Sequence, residues 1–206
     1  MKKAHPQSSE PDGVLIEHAQ HGDQRAFTKL VRRYEDTVFS FAFQACRNRE
    51  KAEETLQDTF VNVYRKIHQF DGRSKFTTWV YKIVVNNCLM KRRKSKLDRA
   101  SISIGTPEGF RNEPLIDDEG NVVQTIPSWK ETPHDIVAKK ELQTHLDKAM
   151  LRLPMEYRIV FILKDVEEKS AQEIAEILNL SIPAVKSRLS RARAFLRQEL
   201  HAYMKS

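Results

Sequence analysis

The chain has 206 residues, of which 40% are hydrophobic and 31% are charged, and its formal net charge at pH 7 is +7. This length suits one large domain or two small ones, and 6 glycines with 8 prolines are too few for the many turns of a β-sandwich or barrel. No apolar run is long enough to cross a bilayer and no secretory signal is recognisable, so we expect a helical, cytoplasmic protein whose positive charge attracts an anionic partner.

The first part of the chain, residues 12–96, has the apolar spacing of four amphipathic helices. Short polar side chains precede three of them and predict the N-terminal caps Asp12, Asp23 and Ser74. In the third helix, which is predicted from about Glu50 to Gln69, the apolar face comprises Ala52, Leu56, Phe60, Val63, Tyr64 and Ile67. Four such helices with short joints predict a compact bundle.

The outer side of the third helix is acidic and mostly uncompensated. Its residues are Glu50, Glu53, Glu54, Gln57 and Asp58. Such a face docks a basic surface of a partner, or it is a solvated face whose negative charge suits the start of a helix. The residues alone leave both interpretations open.

A turn at residues 70–75 has aromatic residues around it and polar and basic residues after it. These residues are Phe70, Phe76, Trp79 and Tyr81, then Asn86 and Asn87, then the basic run Lys91–Lys96. Rings and amides beside positive charge suit unpaired bases, and a flipped base would use a pocket at the turn. Because Phe76, Trp79 and Ile83 also have the spacing of core residues, a purely structural role is the alternative.

The composition changes after Leu97. Between Ser101 and His134 lie four of the prolines and three of the glycines, and six acidic residues accompany only two basic ones. No helical period persists there, so we predict a long, acidic, flexible linker over residues 97–134, with a small hairpin near Leu115–Val123.

Residues 135–206 return to helical spacing and end with the proportions of a helix-turn-helix. Pro154 is predicted to break the first helix of this part, and Ser170 with Glu173 forms a capping box. Ser181 is predicted to cap the last helix. The apolar stripe of that helix is Val185, Leu189, Ala192, Leu196 and Leu200.

The opposite side of the last helix is basic. It comprises Lys186, Ser187, Arg188, Ser190, Arg191, Arg193 and Arg197. No acidic residue occurs between Ile182 and Gln198, so this helix fits the major groove of DNA, where arginine pairs with guanine and a helix N-terminus favours phosphate. An ordinary solvated basic face is the alternative.

The reactive residue types show no catalytic or metal-binding pattern. Cys46 and Cys88 belong to no CxxC motif, and the 7 histidines are scattered. We interpret both cysteines as small core residues of a reduced protein, and nucleotide-binding and hydrolase motifs are absent. The sequence predicts a binding protein with no catalytic residue, no metal and no cofactor.

Several segments, in order and spacing, resemble those of the bacterial extracytoplasmic-function (ECF, group IV) sigma factors, which are two-domain specificity subunits of RNA polymerase. The matching segments are Glu54–Phe60, Phe70–Trp79, Ile83–Asn87, Leu153-Pro154, Glu173–Leu178 and Val185–Arg193. The resemblance implies an all-α fold of two small helical domains, with sigma region 2 at residues 12–96 and the helix-turn-helix of region 4 at residues 135–206, joined by the linker.

The resemblance also implies a function and its residues. A sigma factor binds core RNA polymerase, directs it to specific promoters and promotes promoter opening in transcription initiation, here in a stress or envelope response. Region 2 would contact the β′ clamp helices through Glu54, Gln57 and Asp58. The residues implied in minus-ten DNA binding are Phe70, Asp71, Gly72, Arg73, Ser74, Lys75, Phe76, Trp79, Asn86, Lys91, Arg92 and Arg93. The residues implied in minus-thirty-five DNA binding are Lys186, Ser187, Arg188, Ser190, Arg191 and Arg193.

Region 4 would also rest on the β flap, and an anti-sigma factor is a further partner that the resemblance implies. The chain departs from the family in a linker longer than that of the shortest members and in Ser190, where some relatives carry a bulkier side chain. A dimeric repressor or activator that uses only the helix-turn-helix, and a nucleic-acid enzyme with a basic groove, are the alternative functions.

Overall fold

The structure is a computed structural model that describes residues 10–98 and 144–204. These residues fall into two compact units, one from each stretch. Both units are helical and no β-strand occurs among the described residues, which agrees with the predicted all-α fold. Within the same two stretches, no helix combines the length and the apolar character needed to cross a membrane.

The N-terminal unit is the predicted bundle of four helices. They are α1 (Asp12–Gln20), α2 (Gln24–Cys46), α3 (Arg49–Lys66) and α4 (Phe76–Asp98), with a short 3-10 turn at Ile67–Gln69 between the last two. Helix α2 is central, because it packs against α1, α3 and α4. Its residues Leu30, Val38 and Phe41 are at most 2% exposed, and burial of each such side chain contributes roughly 1.5–3 kcal/mol.

The predicted caps of α2 and α4 differ in outcome. The Asp23 carboxylate accepts hydrogen bonds from the backbone N–H groups of Arg25 (2.7 Å) and Ala26 (3.2 Å), which confirms the cap of α2. Helix α4 begins one residue later than the Ser74 cap requires, so Lys75 and not Ser74 directly precedes it. The carbonyl oxygen of Lys75 accepts the first hydrogen bond of the helix.

The predicted cap at Asp12 is wrong. Pro11 occupies the capping position of α1, and Asp12 lies inside the first turn. The Asp12 carboxylate instead accepts hydrogen bonds from Arg33 and Tyr34, and so ties α1 to α2. Burial, together with the hydrogen bond to Asp12, raises the pKa of Tyr34 far above its ordinary value.

The buried face of α3 is not the predicted one. It includes two threonines and excludes one of the expected aromatic residues. Thr55 and Thr59 are fully buried, and each hydroxyl donates a 2.6 Å hydrogen bond to the carbonyl oxygen four residues earlier. Tyr64, expected on the apolar face, is 51% exposed. Because threonine satisfies its own hydroxyl on the helix backbone, it can replace an apolar residue in the core.

The C-terminal unit contains four helices and one irregular turn. They are α5 (residues 144–152), α6 (Met155–Phe161), a π-helical turn (Ile162–Val166), α7 (Ala171–Leu178) and α8 (Ile182–Met204). Pro154 separates α5 from α6 as predicted. The capping box of α7 is confirmed, because the Ser170 hydroxyl accepts from the Glu173 N–H (3.1 Å) and the Glu173 carboxylate accepts from the Ser170 N–H (2.9 Å).

The helix-turn-helix joins α7 to α8 through a left-handed residue. Asn179 ends α7 with a φ of 53°, a conformation that asparagine tolerates better than most residues. The Ser181 hydroxyl then accepts a hydrogen bond from the Ala184 N–H (3.3 Å), as predicted for the cap of α8. The apolar side of α8 packs on α6 and α7 through Val185 and Ala192.

The remaining expectations for the middle of the chain have no structural description. Residues 97 and 98 are the end of α4, and the rest of the predicted linker at 97–134, with the predicted hairpin, lies outside the described residues.

Candidate nucleic-acid interfaces

The turn at residues 70–75 is anchored at its base by the end of α1. The Gln20 side-chain amide donates from Nε2 to the carbonyl oxygens of Ile67 (2.9 Å) and Phe70 (2.7 Å). These carbonyls lie in and directly after the 3-10 turn, where the backbone has no helical partner for them. The anchor therefore fixes the point from which the turn leaves the bundle.

The tip of the turn is exposed and polar. Asp71, Gly72, Arg73 and Lys75 are exposed and Ser74 is half-buried. The Arg73 N–H donates to the Asp71 carboxylate at 3.1 Å, and the Arg73 guanidinium pairs with the same carboxylate. Gly72 has a φ of 73°, which only glycine adopts at little cost. The predicted minus-ten residues of the turn are thus available to a ligand.

The aromatic residues beside the turn form one cluster and differ in exposure. The ring of Phe70 lies 5.4 Å from that of Phe76 and 5.6 Å from that of Trp79, and Phe76 and Trp79 stack at 5.7 Å. Phe70 and Trp79 are half-buried, whereas Phe76 is 6% exposed and is a core residue. Tyr81 does not join this cluster, because its buried ring packs on Phe41 of α2.

The two adjacent amides of α4 have different environments. Asn87 is half-buried, donates to the Thr59 hydroxyl at 3.1 Å and accepts from the Asn62 amide at 3.1 Å, so it joins α4 to α3. Asn86 is exposed. Asn86, to which the resemblance assigns base contact, is thus the more accessible of the two amides.

Lys91 connects two sites that the sequence placed apart. Its ammonium group lies 3.0 Å from the Glu54 carboxylate and 2.8 Å from the Asp58 carboxylate. Burial lowers the pKa of Lys91, but the hydrogen bonds and charges of Asp58 and Glu54 outweigh burial and raise it above the ordinary value. The expectation of a mostly uncompensated acidic face is therefore wrong at these two carboxylates, and Lys91 is occupied within the bundle.

The rest of the acidic face is exposed. Gln57 and Glu50 are exposed, and Glu53 pairs with Arg49 one turn earlier at 2.8 Å. Arg92 and Arg93 were predicted to bind minus-ten DNA together with Lys91. Both lie in α4, but their side chains are outside the described part of the chain.

Most residues of the predicted basic face of α8 are exposed, as expected, and one is buried. The exposed members are Lys186, Ser187, Arg191, Arg193 and Arg197. Arg188 is half-buried. Ser190 is 8% exposed and its Oγ has no hydrogen-bond partner within the described residues. Ser190 is therefore not displayed on the exposed basic face as expected, and its contact with minus-thirty-five DNA stays a prediction.

Arg193 is held by an acidic residue that sequence analysis did not consider. Its Nε and Nη2 atoms donate to the two oxygens of Asp165, at 3.2 and 2.5 Å. Asp165 belongs to the π-helical turn, 28 residues earlier in the chain. No local sequence pattern predicts a contact between residues this far apart in the chain. The same is true of the contact between Gln20 and the turn at residues 70–75.

Comparison with known proteins accounts for both units. Residues 30–97 match the family model "Sigma-70 region 2" and residues 144–196 match "Sigma-70, region 4". The chain is 33% identical over 186 residues to the ECF RNA polymerase sigma factor SigW of Bacillus subtilis (strain 168), with 90% of this chain and 94% of the relative covered. The chain belongs to the ECF sigma factors. This sigma factor is therefore a promoter-specificity subunit for transcription initiation, which binds RNA polymerase and DNA.

Further relatives agree with the assignment. The sigma factor is 31% identical over 187 residues to the ECF RNA polymerase sigma-E factor of Escherichia coli (strain K12), with 88% of this chain and 90% of the relative covered. Its fold is similar to that of CnrH, solved in complex with the cytosolic domain of CnrY, with a TM-score of 0.62, 25% identity and coverage of 93% of this chain and 97% of that one.

Proposed function

We propose that this chain is a two-domain, group IV ECF sigma factor that recognises a promoter at two separate elements. We assign residues 12–96 to region 2, residues 97–134 to the linker and residues 135–206 to region 4. The matches at residues 30–97 and 144–196 support the first and third assignments. The sigma factor acts where polymerase meets the chromosome, in the cytoplasm, and its setting is a stress or envelope response.

The exposed basic face of α8 is the observation that carries the proposal. Lys186, Ser187 and Arg191 are exposed in the first half of the helix, while its other side packs into the unit. A helix with this distribution enters the major groove, where lysine and arginine pair with guanine and serine adapts to several bases. We assign these three residues to base edges of the minus-thirty-five duplex, and Arg188 and Arg193 to the flanking phosphates.

Region 2 is proposed to capture the non-template strand of the minus-ten element after the strands separate. The exposed turn supplies polar and charged groups at Asp71, Arg73 and Lys75, and Asn86 supplies an amide for a base edge. The half-buried rings of Phe70 and Trp79 line the base of the turn. Phe76 acts from the core, where it supports both rings.

Capture of unpaired bases favours promoter opening without ATP and without a catalytic residue. A protein that binds only the open state shifts the equilibrium by its differential affinity. Stacking of one base on a side chain contributes about 1–3 kcal/mol, and a DNA base step costs about 1.4 kcal/mol to unstack. Capture of two or three bases therefore offsets the opening of a similar number of steps.

The acidic face of α3 is proposed to contact the β′ clamp helices. Glu54, Gln57 and Asp58 are exposed along one side of the helix. Lys91 balances two of their charges at short distance, so Gln57 and the outer carboxylate oxygens are the groups that remain for a partner. Region 4 is proposed to rest on the β flap. An anti-sigma factor is proposed to compete for these surfaces, since the sigma factor RpoE of Bartonella quintana has been solved in complex with the anti-sigma factor NepR.

The acidic linker is proposed to follow a basic channel of the polymerase that later holds RNA. The support for this step is the excess of acidic residues between Ser101 and His134. Replacement of Asp117, Asp118 and Glu119 by lysine should weaken holoenzyme assembly or initiation several-fold in a transcription assay. Replacement by asparagine and glutamine is the matched control, and unchanged transcription by the lysine variant would contradict the proposed route.

Transcription in vitro with purified core polymerase and a pool of genomic promoters tests the function as a whole. We expect start sites that share two motifs at a fixed spacing. The variant Arg191→Ala should lose initiation at these sites, whereas Ser187→Ala should retain most of it. A footprint on duplex DNA without polymerase, with no change in start sites, would instead support a conventional repressor or activator.

A further inference from the structure

The first turn of α8 has an exposed apolar surface that the proposed function does not use. Ile182 is 43% exposed, and Pro183 beside it is exposed as well. Further along the helix the apolar side is covered by the rest of the unit, where Val185 and Ala192 are at most 1% exposed. Ile182 and Pro183 therefore lie outside the core, and we call these two residues the apolar patch.

The apolar patch adjoins the residues that we assign to base edges. Pro183 precedes Lys186 by three positions and Ser187 by four. Ile182 precedes Lys186 by four positions. Residues at these spacings are neighbours on a helix surface, and one turn of the helix covers about 5.4 Å. Because a base-pair step covers about 3.4 Å, the patch reaches about one or two base pairs beyond the edges that Lys186 and Ser187 reach. The patch is thus continuous with the proposed DNA-binding face.

The start of α8 is poorly equipped to bind phosphate, which is the usual anion at a helix N-terminus. Pro183 has no N–H group to donate. The Ala184 N–H donates to the Ser181 hydroxyl at 3.3 Å, and the Val185 N–H donates to the Ser181 carbonyl oxygen at 3.1 Å. At these three consecutive positions the N–H donor is either missing or already used, which favours an uncharged ligand group over phosphate.

We propose that Ile182 and Pro183 contact the C5-methyl group of a thymine in the minus-thirty-five element, and so determine specificity at that base pair. Thymine alone among the four bases presents a methyl group in the major groove, and apolar side chains recognise it by contact. This inference rests on the proposed function, because the same face of α8 must enter the major groove. Burial of one methyl group contributes about fourfold in affinity.

Replacement of thymine by uracil removes the methyl group and leaves base pairing unchanged. The holoenzyme, assembled from the full chain, is titrated against labelled minus-thirty-five duplexes in which each thymine on either strand is replaced in turn. We expect the wild type to lose affinity about fourfold at one of these positions. Equal affinity for the parent duplex and for every uracil duplex would overturn the proposal.

Variants of the apolar patch test whether these residues sense the methyl group. Ile182→Ala and Pro183→Ser should each reduce the difference between thymine and uracil, and the double variant should abolish it. Ile182→Ala should also leave the salt dependence of the affinity unchanged, because no phosphate contact is lost. Val166→Ala is the matched control, since Val166 is 48% exposed in the same unit but lies outside α8, and it should keep the full difference. A full difference in the double variant, or an altered salt dependence, would contradict the proposal.

Two further measurements separate the methyl contact from the proposed function and from a contact with polymerase. Arg191→Ala should weaken binding to the thymine and uracil duplexes alike. Unchanged binding by Arg191→Ala would refute the proposed DNA-binding face itself, whereas weaker binding together with a full thymine–uracil difference in the double patch variant would refute the methyl contact alone. The double patch variant should assemble with core polymerase as tightly as the wild type, and weaker assembly would assign the patch to the polymerase instead.

Discussion

Ser190 shows how far a single side chain can depart from the surface that its neighbours form. It follows Leu189 and precedes Arg191 on α8, yet its hydroxyl is buried and lacks a hydrogen-bond partner within the described residues. A buried hydroxyl without a partner costs free energy, because the hydrogen bonds that it made to water are not replaced. Ser190 therefore contributes to the packing of α8.

We expect Ser190→Ala to leave the affinity for a minus-thirty-five duplex within about twofold and to leave the free energy of unfolding unchanged or higher by up to about 1 kcal/mol. Arg191→Ala, one position later, should lower the affinity by about tenfold, which is a typical loss for one arginine–guanine pair. Fluorescence anisotropy of the holoenzyme on labelled duplex and urea unfolding of the sigma factor measure the two effects. A large loss of affinity in the Ser190 variant would place that side chain on the DNA.

Asp165 restrains Arg193 by accepting hydrogen bonds from the Nε and Nη2 atoms of its guanidinium. Because the carboxylate competes with phosphate for this guanidinium, Asp165→Asn should strengthen duplex binding for all sequences alike. The slope of log affinity against log salt concentration should become more negative by about one, because one more counterion is released on binding. The same change in an Arg193→Gln background should have no such effect, and a gain confined to one promoter sequence would contradict phosphate binding.

At the scale of elements, α3 and α4 are joined by polar side chains as well as by apolar packing. Asn87 bonds to Thr59 and Asn62, and Lys91 lies one turn further along α4 against two carboxylates of α3. These contacts fix the rotation of α4 relative to α3, and with it the direction in which Asn86 points. The ion pair of Lys91 thus helps to position the amide that we propose for base contact.

The raised pKa of Lys91 predicts how this joint responds to pH. The charged form is stabilised in the folded protein, so its contribution is fully present below the ordinary lysine pKa of about 10.4 and is lost as the pH rises through the raised value. Lys91→Met should lower the free energy of unfolding by about 1 kcal/mol at pH 8, because the pair is partly solvated.

The difference in unfolding free energy between the wild type and Lys91→Met should shrink as the pH is raised from 8 toward 11. Tyr34 loses stability in the same range, but it is present in both proteins and cancels in the difference. Urea unfolding at several pH values measures this trend. A difference that grows with pH would contradict the assigned charge state.

At the scale of the whole molecule, we propose that the two units carry separate tasks. In this proposal the basic helix of region 4 binds duplex DNA, and the turn and the Asn86 amide of region 2 bind the separated strands. We expect Asn86→Ala to reduce the fraction of open complexes, measured by permanganate reactivity of unpaired thymines, by roughly three- to tenfold at unchanged closed-complex affinity. Asn86→Asp is the matched control for charge at this position.

Arg191→Ala should have the opposite profile, with weaker promoter association and a normal open fraction once the complex is bound. The double variant should show the product of the two single effects, because the residues lie in different units and share no partner. Loss of closed-complex affinity by the Asn86 variant alone would contradict the division of tasks.

Much of this organisation follows from local pattern. Apolar periodicity predicted both helical units, and the caps at Asp23, Ser170 and Ser181 were predicted because each depends on residues within one turn. The errors lie where partners are distant in the sequence. Asp12 bonds to another helix instead of its own, and Lys91 pairs with two carboxylates of α3. Apolar periodicity does not predict these contacts. It identifies the buried face of a helix but not the element that packs against that face.

The amide of Gln20 has a consequence that extends beyond its own helix. It donates to two backbone oxygens at the start of the turn at residues 70–75, so α1 supports the segment that we propose to bind the minus-ten element, 50 residues further along the chain. A shorter side chain at position 20 would lose both hydrogen bonds, while the residues of the turn itself would remain unchanged. Under the proposed function, promoter choice would thus depend on a residue that itself contacts no DNA.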